Sequence, residues 1–249
     1  MGFNGIGGNL NVAGMIPWEI VFAYFALALF FVFYYSRKTG GLKGYKTADF
    51  VYIGIGAAFT VVWEFFVGPL MDKIIPPGLT AFIGFGFFGR ILILFIVAGL
   101  VRKPGVGMMS MAIFDILGDI FHYGFSGEPM FVIYESLTYG LFLDLAISIK
   151  RGNLFDNFTR KANKAGQTVQ NVKSAAHQRI FAAITGGIIG FAWAFPDPFF
   201  YSGFFGPFLY GSIVNWQAIL VSFAEAIPGN VLLGAIGGLI ALRVARVIG

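Results

Sequence analysis

The chain has 249 residues but no cysteine, only two histidines and a charged fraction of 12%. The absence of cysteine excludes disulfides, thiolate metal sites, thiol nucleophiles and iron–sulfur ligation. Two histidines are too few for paired haem ligation across helices, and the sequence has no Gly-x-Ser-x-Gly, His-Glu-x-x-His or phosphate-loop pattern. We therefore predict a protein that is not an enzyme and holds no metal or cofactor.

Apolar side chains, by contrast, are abundant: they make up 57% of the chain and give a mean hydropathy of +0.79. A soluble globule of this length would bury only part of that apolar surface. The apolar residues also fall into long runs, and a run of about 20 residues is what a helix needs to cross roughly 30 Å of hydrocarbon. We predict an all-α, polytopic membrane protein.

Positive charge is confined to a few places between the apolar runs. Of the 17 Lys and Arg residues, 15 lie in four clusters: Arg37, Lys38, Lys43 and Lys46; Arg102 and Lys103; the stretch 150–179; and Arg243 with Arg246. Because Lys and Arg in short loops stay on the cytoplasmic side, we expect the clusters on that face of the cell membrane, with the N-terminus outside and the C-terminus cytoplasmic. The pI near 9.4 then reflects topology and anionic lipid contact, with no nucleic acid as a partner.

The basic clusters and turn signals divide the chain into about seven predicted transmembrane helices. Residues 1–47 hold an external tail and the first helix, and residues 48–249 form a six-helix membrane domain. The turn from Arg102 to Gly105 is short enough to require an antiparallel hairpin. The segment from Pro196 to Asn215 is expected to be an external loop or re-entrant piece, because its prolines and glycines disfavour a regular helix.

The basic stretch 150–179 carries a pattern of its own. Its apolar residues recur at alternating spacings of three and four, which predicts an amphipathic helix on the cytoplasmic side. Such a helix either lies in the inner headgroup layer or docks on a partner protein, and the sequence leaves both alternatives open. The residues in the pattern are Phe155, Phe158, Ala162, Ala165, Val169, Val172 and Ala176.

Polar side chains inside apolar spans are the candidates for function, because each is expensive there and tends to face a cavity or a partner. Acidic and aromatic side chains concentrate in the outer half of the predicted bundle, and we predict that they form a pocket for a polar, cationic aromatic ligand. The alternative is that the tryptophans anchor the membrane interface and that two of the glutamates lie at headgroup level. The pocket candidates are Trp63, Glu64, Asp119, Glu135, Trp216 and Glu225.

Two further charged residues fall near the middle of neighbouring spans. Arg90 and Asp115 lie on either side of the 102–105 turn at matching depth, so we predict that they form a buried structural ion pair. Asp119 and His122 share a helix face, but so few histidines argue against a metal site there.

Three short stretches give the chain a resemblance to a known family. They are Arg102-Lys103-Pro104-Gly105 after the third span, Tyr139-Gly140 to Asp144 on the fifth, and Ile227-Pro228-Gly229-Asn230 followed by Gly234, Gly237 and Gly238 on the last. From about Ala48 to Gly249 the chain resembles the substrate-binding (S) component of energy-coupling-factor (ECF) transporters, above all the YkoE-like group. Asn230, in the last of these stretches, joins the candidate ligand-binding residues.

The resemblance implies a six-helix membrane subunit that captures thiamine or a hydroxymethylpyrimidine-like vitamin from outside. It also implies a transmembrane coupling subunit and cytoplasmic ATPases as partners, with the coupling contact on the small residues Gly54, Gly56, Ala57 and Ala58. The extra N-terminal span and the basic stretch 150–179 depart from the family. The alternative interpretation is therefore a non-catalytic scaffold subunit of a larger membrane complex.

Overall fold

A computed structural model describes residues 8–37, 44–76, 78–79, 82, 84–122, 124, 129–156, 159–162, 168–171 and 175–248. These residues form a bundle of seven main helices, and the predicted all-α membrane fold is confirmed. Five of them are long and apolar enough to cross a membrane, while α3 and α4 are shorter, at 17 and 16 residues. The helices are α1 (Trp18–Ser36), α2 (Thr47–Asp72), α3 (Phe85–Val101), α4 (Val106–Phe121), α5 (Met130–Ile149), α6 (Ala175–Tyr210) and α7 (Trp216–Ile248).

Three helices contain stretches of the wider π-helical form. These are Trp63–Val67 in α2, Ser136–Gly140 in α5 and Pro196–Phe205 in α6. π-Helical turns are rare and frequently occur at functional sites, because the extra residue changes the direction in which neighbouring side chains point. The first contains Glu64 and the second adjoins Glu135, and both of these acids contact Arg90 inside the bundle.

Helices α6 and α7 pack at backbone-to-backbone distance along a seam of glycines. A Cβ built on Gly234 would lie 2.4 Å from the Gly186 carbonyl oxygen, and one on Gly190 would lie 2.0 Å from the Asn230 carbonyl oxygen. One turn further on, a Cβ on Gly238 would lie 2.3 Å from the carbonyl oxygen of Ala182. Small residues at intervals of four are the usual means of close helix approach in membranes.

The turn between α3 and α4 is fixed by a buried carboxylate that the site predictions omitted. Arg102 ends α3 in the left-handed conformation, and the backbone N–H groups of Gly107 and Met108 each donate to the Asp144 carboxylate at 2.9 Å. Asp144 is fully buried on α5, so it satisfies two otherwise unpaired donors at the start of α4. The antiparallel hairpin predicted for residues 102–105 is confirmed.

Ion pairs connect neighbouring segments at the same end of the bundle. Lys103 pairs with Asp49, and Arg102 Nη1 lies 2.8 Å from Asp156. The Tyr45 hydroxyl donates to the Pro104 carbonyl at 2.9 Å. Burial, reinforced by the negative charges of Asp144 and Asp49, raises the pKa of Tyr45 well above its usual range, so this donor stays protonated.

Two of the basic clusters have described residues that can be compared, and these residues lie at the same end of the molecule. Arg102 and Arg246, from the second and fourth clusters, line one small crevice together with Asp156. Lys38 and Lys43 of the first cluster lie outside the described residues. The grouping agrees with a common face for the clusters, while their side of the membrane stays a prediction.

The amphipathic helix predicted over 150–179 is corrected by the structure. Thr159–Ala162 (β1) and Thr168–Asn171 (β2) form an antiparallel pair, and α6 begins only at Ala175. The β-branched Thr and Val residues of these strands favour extended backbone over helix. Phe155 is buried and packs 5.3 Å from the Phe95 ring, so it does not lie in the headgroup layer. Phe158, Ala165 and Val172 lie outside the described residues.

Of the two alternatives predicted for Pro196 to Asn215, the external loop is wrong for most of its length, and the re-entrant piece stays a prediction. Pro196–Phe205 is π-helical, and a short α-helix continues over Gly206–Tyr210. The two prolines at 196 and 198 stand in the first turn of the π-helix, where a missing N–H leaves no bond unmade. Ile16 N–H donates to the Gly203 carbonyl at 2.9 Å, so the segment before α1 covers this part of α6.

Candidate functional site

The interior of the bundle holds a buried arginine between two carboxylates. Arg90 on α3 donates from Nε to Glu64 Oε2 at 2.7 Å, and its Nη2 pairs with the other oxygen of the same carboxylate. Its Nη1 donates to Glu135 Oε2 at 2.9 Å. The guanidinium therefore binds the Glu64 carboxylate through two nitrogen atoms and the Glu135 carboxylate through a third. Two-point binding is the geometry in which arginine binds a carboxylate most strongly.

Aromatic rings enclose the guanidinium. The Arg90 Cζ atom lies 4.7 Å from the Phe114 ring centre, 5.3 Å from that of Tyr139 and 5.7 Å from that of Phe87. Because rings carry negative charge on their faces, they stabilise a cation that has lost its water. The Arg90 side chain is only 7% exposed, so its charge is balanced almost entirely by protein groups.

Glycines in α3 bring Glu64 within reach of Arg90. A Cβ built on Gly89 would lie 1.8 Å from the Trp63 ring, and a Cβ on Gly68 would lie 2.4 Å from the Gly86 Cα atom. Only glycine permits this approach of α3 to the π-helical turn of α2. The Trp63 indole is held in the gap by donating from Nε1 to the Phe85 carbonyl at 2.7 Å.

A third carboxylate, that of Asp115 on α4, joins the cluster without a cation of its own. Asp115 faces Glu135 at hydrogen-bonding range and lies within the electrostatic reach of Arg90 and Glu64. Its Oδ2 atom is buried and accepts no hydrogen bond among the described residues. We call Glu64, Arg90, Asp115 and Glu135 the Arg90 cluster; it holds three carboxyl groups and one guanidinium.

The predicted ion pair between Arg90 and Asp115 is wrong. Within the described part of the chain, Arg90 forms ion pairs with Glu64 and Glu135, and Asp115 forms none. Depth along the spans had separated Glu64 and Glu135, in the outer half, from Arg90 and Asp115 near the middle. It did not identify the partners, because the π-helical turns of α2 and α5 bring two glutamates from the predicted pocket onto the guanidinium.

Polar groups continue from the cluster toward α6. The Tyr134 hydroxyl donates to Asp197 Oδ1 at 2.7 Å, and the rings of Tyr134 and Tyr139 stand 6.4 Å apart. Trp193 packs on Tyr139 with ring centres 5.3 Å apart, and its buried Nε1 has no hydrogen-bond partner among the described residues. Sequence reasoning missed this extension because Asp197, between two prolines, was assigned to a loop.

The remaining predicted pocket residues do not join the cluster in any described contact. Trp216 Nε1 donates to the Gly14 carbonyl at 2.9 Å, at the end of the molecule where α7 begins. Glu225 is exposed on α7, and Asn230 lies beside Gly190 at the α6–α7 seam. Asp119 is half-buried on α4, one helical turn beyond Asp115.

Two of the three stretches that carry the family resemblance are in contact. The start of α4 after the 102–105 turn packs on Tyr139-Gly140 of α5, where a Cβ on Gly107 would lie 2.3 Å from the Gly140 carbonyl oxygen. Asp144 of the same stretch accepts the first amides of α4. The third stretch supplies the α7 side of the glycine seam. The chain matches no protein-family model, no curated protein and no solved structure.

Proposed function

We propose that this protein is the substrate-capture subunit of a vitamin transporter powered by partner ATPases. The observation that carries the proposal is the Arg90 cluster, a buried group of charges inside an apolar bundle. Charged residues at such depth are retained where they serve a pathway or a binding site. The cluster combines excess negative charge with aromatic rings, which is the chemistry that suits a cationic aromatic ligand.

Thiamine or a hydroxymethylpyrimidine-like compound is the ligand class we propose. The positively charged ring of thiamine matches the carboxylates that exceed the single guanidinium, and its flat rings match the aromatic side chains around it. Unpaired buried polar atoms at Asp115 Oδ2, Ser136 Oγ and Trp193 Nε1 support the idea that a polar ligand completes the site. The resemblance to S components points to the same ligand class.

A transmembrane coupling subunit and cytoplasmic ATPases are the partners that the proposal requires. On α2, Gly54 and Ala58 stand one turn apart toward the outside of the bundle, and a Cβ on Gly54 would meet nothing within 4 Å. Gly56 and Ala57 instead pack inside the chain. We propose that the Gly54–Ala58 face receives the coupling subunit, in a cell membrane with the N-terminus outside and the basic end cytoplasmic.

The second candidate is a non-catalytic scaffold subunit of a larger membrane complex. One observation favours it: Arg90 already satisfies both Glu64 and Glu135, as a purely structural network would require. In that case the cluster fixes the helix arrangement, and the exposed α1 and α2 surfaces bind neighbouring chains.

Purification of the full chain from native membranes in mild detergent separates the two candidates. We expect ATPase subunits and a membrane coupling protein to purify with it in fixed proportion, and Gly54→Leu to reduce their recovery. Ala224→Leu, which also introduces leucine at an exposed small residue of a transmembrane helix, here α7, serves as the control. Recovery of other enzyme subunits in fixed proportion, with no ATPase, would support the scaffold.

A further inference from the structure

The Arg90 cluster has more acidic groups than basic ones, so its charges do not balance when every group is ionised. Glu64, Asp115 and Glu135 would carry three negative charges if all were ionised, against one positive charge on Arg90. Two negative charges would be in excess, and Asp115 is the carboxylate that forms no ion pair with the guanidinium. An unpaired charge buried in a bundle that crosses a membrane is strongly unfavourable, and such a group is neutralised by taking up a proton.

The contact between Asp115 and Glu135 can hold a proton as a hydrogen bond between the two carboxyl groups. Their carboxyl groups face one another at hydrogen-bonding range, although two ionised carboxylates contain only acceptors. The buried Asp115 Oδ2 lacks any donor among the described residues, so a hydrogen on one acid would satisfy an otherwise orphaned oxygen. Two carboxyl groups in contact in an apolar site characteristically share a single proton.

We propose that Asp115 and Glu135 hold one proton between them in the ligand-free protein. With this proton in place the cluster carries two acids, formally one ionised and one neutral, beside the ionised Glu64. Arg90 then balances all but one unit of negative charge, and the Glu64 side chain is 20% exposed, against 10% for Glu135. A cationic ligand of the proposed function would release this proton, a corollary that rests on that function.

The other titratable groups described around the pair have contacts of their own. Tyr139 presents its ring to Arg90, and Tyr134 donates its hydroxyl hydrogen to Asp197. His122, at the end of α4, stacks on Phe65 with ring centres 4.4 Å apart. Asp119 lies one turn beyond Asp115 on the same helix, which makes it a matched control for substitution.

Infrared spectroscopy of the purified full chain in detergent tests the proposal. We expect the carbonyl band of a protonated carboxylic acid at neutral pH, shifted by exchange into heavy water. The band should be lost in Asp115→Asn, whose amide can donate to Glu135 in place of the proton, and kept in Asp119→Asn. Its absence from the wild type, or its survival in both Asp115→Asn and Glu135→Gln, would overturn the proposal.

Thermal unfolding at increasing pH gives an independent readout. Because a proton bound more tightly in the folded than in the unfolded state contributes stability that is lost as pH rises, the wild-type midpoint should fall on alkalinisation more steeply than that of Asp115→Asn. Glu135→Gln replaces Asp115→Asn if that variant does not fold. Parallel curves for the wild type and both variants would contradict the shared proton. Failure of thiamine to bind would count against the proposed function alone, since the infrared band is measured without ligand.

Discussion

Arg90→Met is expected to destabilise the folded protein by about 3–5 kcal/mol, because it leaves the buried Glu135 and the partly buried Glu64 without their cation. Glu64 would lose a two-point contact and Glu135 a hydrogen bond of 2.9 Å. Methionine retains much of the apolar volume of the arginine stem, so the loss is mainly electrostatic. Unfolding of the purified protein in mixed micelles of increasing denaturing detergent measures the change.

Two companion variants make the Arg90 experiment specific. Combining Arg90→Met with Glu64→Gln and Glu135→Gln should recover most of the lost stability, since both ion-pair partners of Arg90 are then neutral. Combining it with Asp115→Leu should recover little, because Asp115 is not an ion-pair partner of Arg90. Arg243→Met removes an exposed arginine and should change stability by less than about 0.5 kcal/mol. Wild-type stability for Arg90→Met itself would contradict the buried network.

Gly234→Ala is expected to separate α6 from α7 and to destabilise the bundle by about 1–3 kcal/mol or more. The added methyl group would lie 2.4 Å from the Gly186 carbonyl oxygen and 2.9 Å from the Gly190 Cα atom. Both are backbone atoms, which cannot rotate aside as a side chain can. The helices must therefore move apart, and the neighbouring close contacts along the seam would be lost with them. Thermal unfolding in detergent measures the effect.

Gly54→Ala is the matched control for the seam. It makes the same substitution inside a transmembrane helix, but its Cβ meets nothing within 4 Å. Because alanine favours helix over glycine by about 1 kcal/mol, this variant should be as stable as the wild type or slightly more stable. If both substitutions have the same effect, the glycine seam does not hold α6 against α7.

Much of the fold follows from the sequence because a membrane imposes simple rules on it. Apolar runs of helix-spanning length gave the seven helices, and the 102–105 turn gave the α3–α4 hairpin. Those rules do not describe π-helical turns, which depend on packing between distant segments. The Phe/Gly-rich segment from Pro196 was therefore assigned to an external loop or re-entrant piece without regular helix, although it continues α6 as a π-helix.

The sequence predicted which residues belong to the candidate site better than it predicted which of them form ion pairs with one another. Glu64, Arg90, Asp115 and Glu135 are all polar residues inside apolar spans, and the sequence predicted Arg90 and Asp115 as a buried pair and the two glutamates as part of an outer pocket. Their partners depend on the rotation of each helix, which is set by close contacts such as Trp63 on Gly89 and Gly107 on Gly140. No local pattern in the sequence indicates these contacts. Asp144 illustrates the same limit, since its role at the start of α4 requires knowing that α5 packs there.

Titration calorimetry of the purified, folded chain with thiamine tests the central claim, that the Arg90 cluster is the binding site of a substrate-capture subunit. The account predicts saturable binding by the wild type and a loss of at least about tenfold in affinity, or 1.4 kcal/mol, in Asp115→Asn. Glu225→Gln, which alters an exposed carboxylate on α7, should bind like the wild type. No saturable binding by the wild type, or a loss confined to Glu225→Gln, would contradict it.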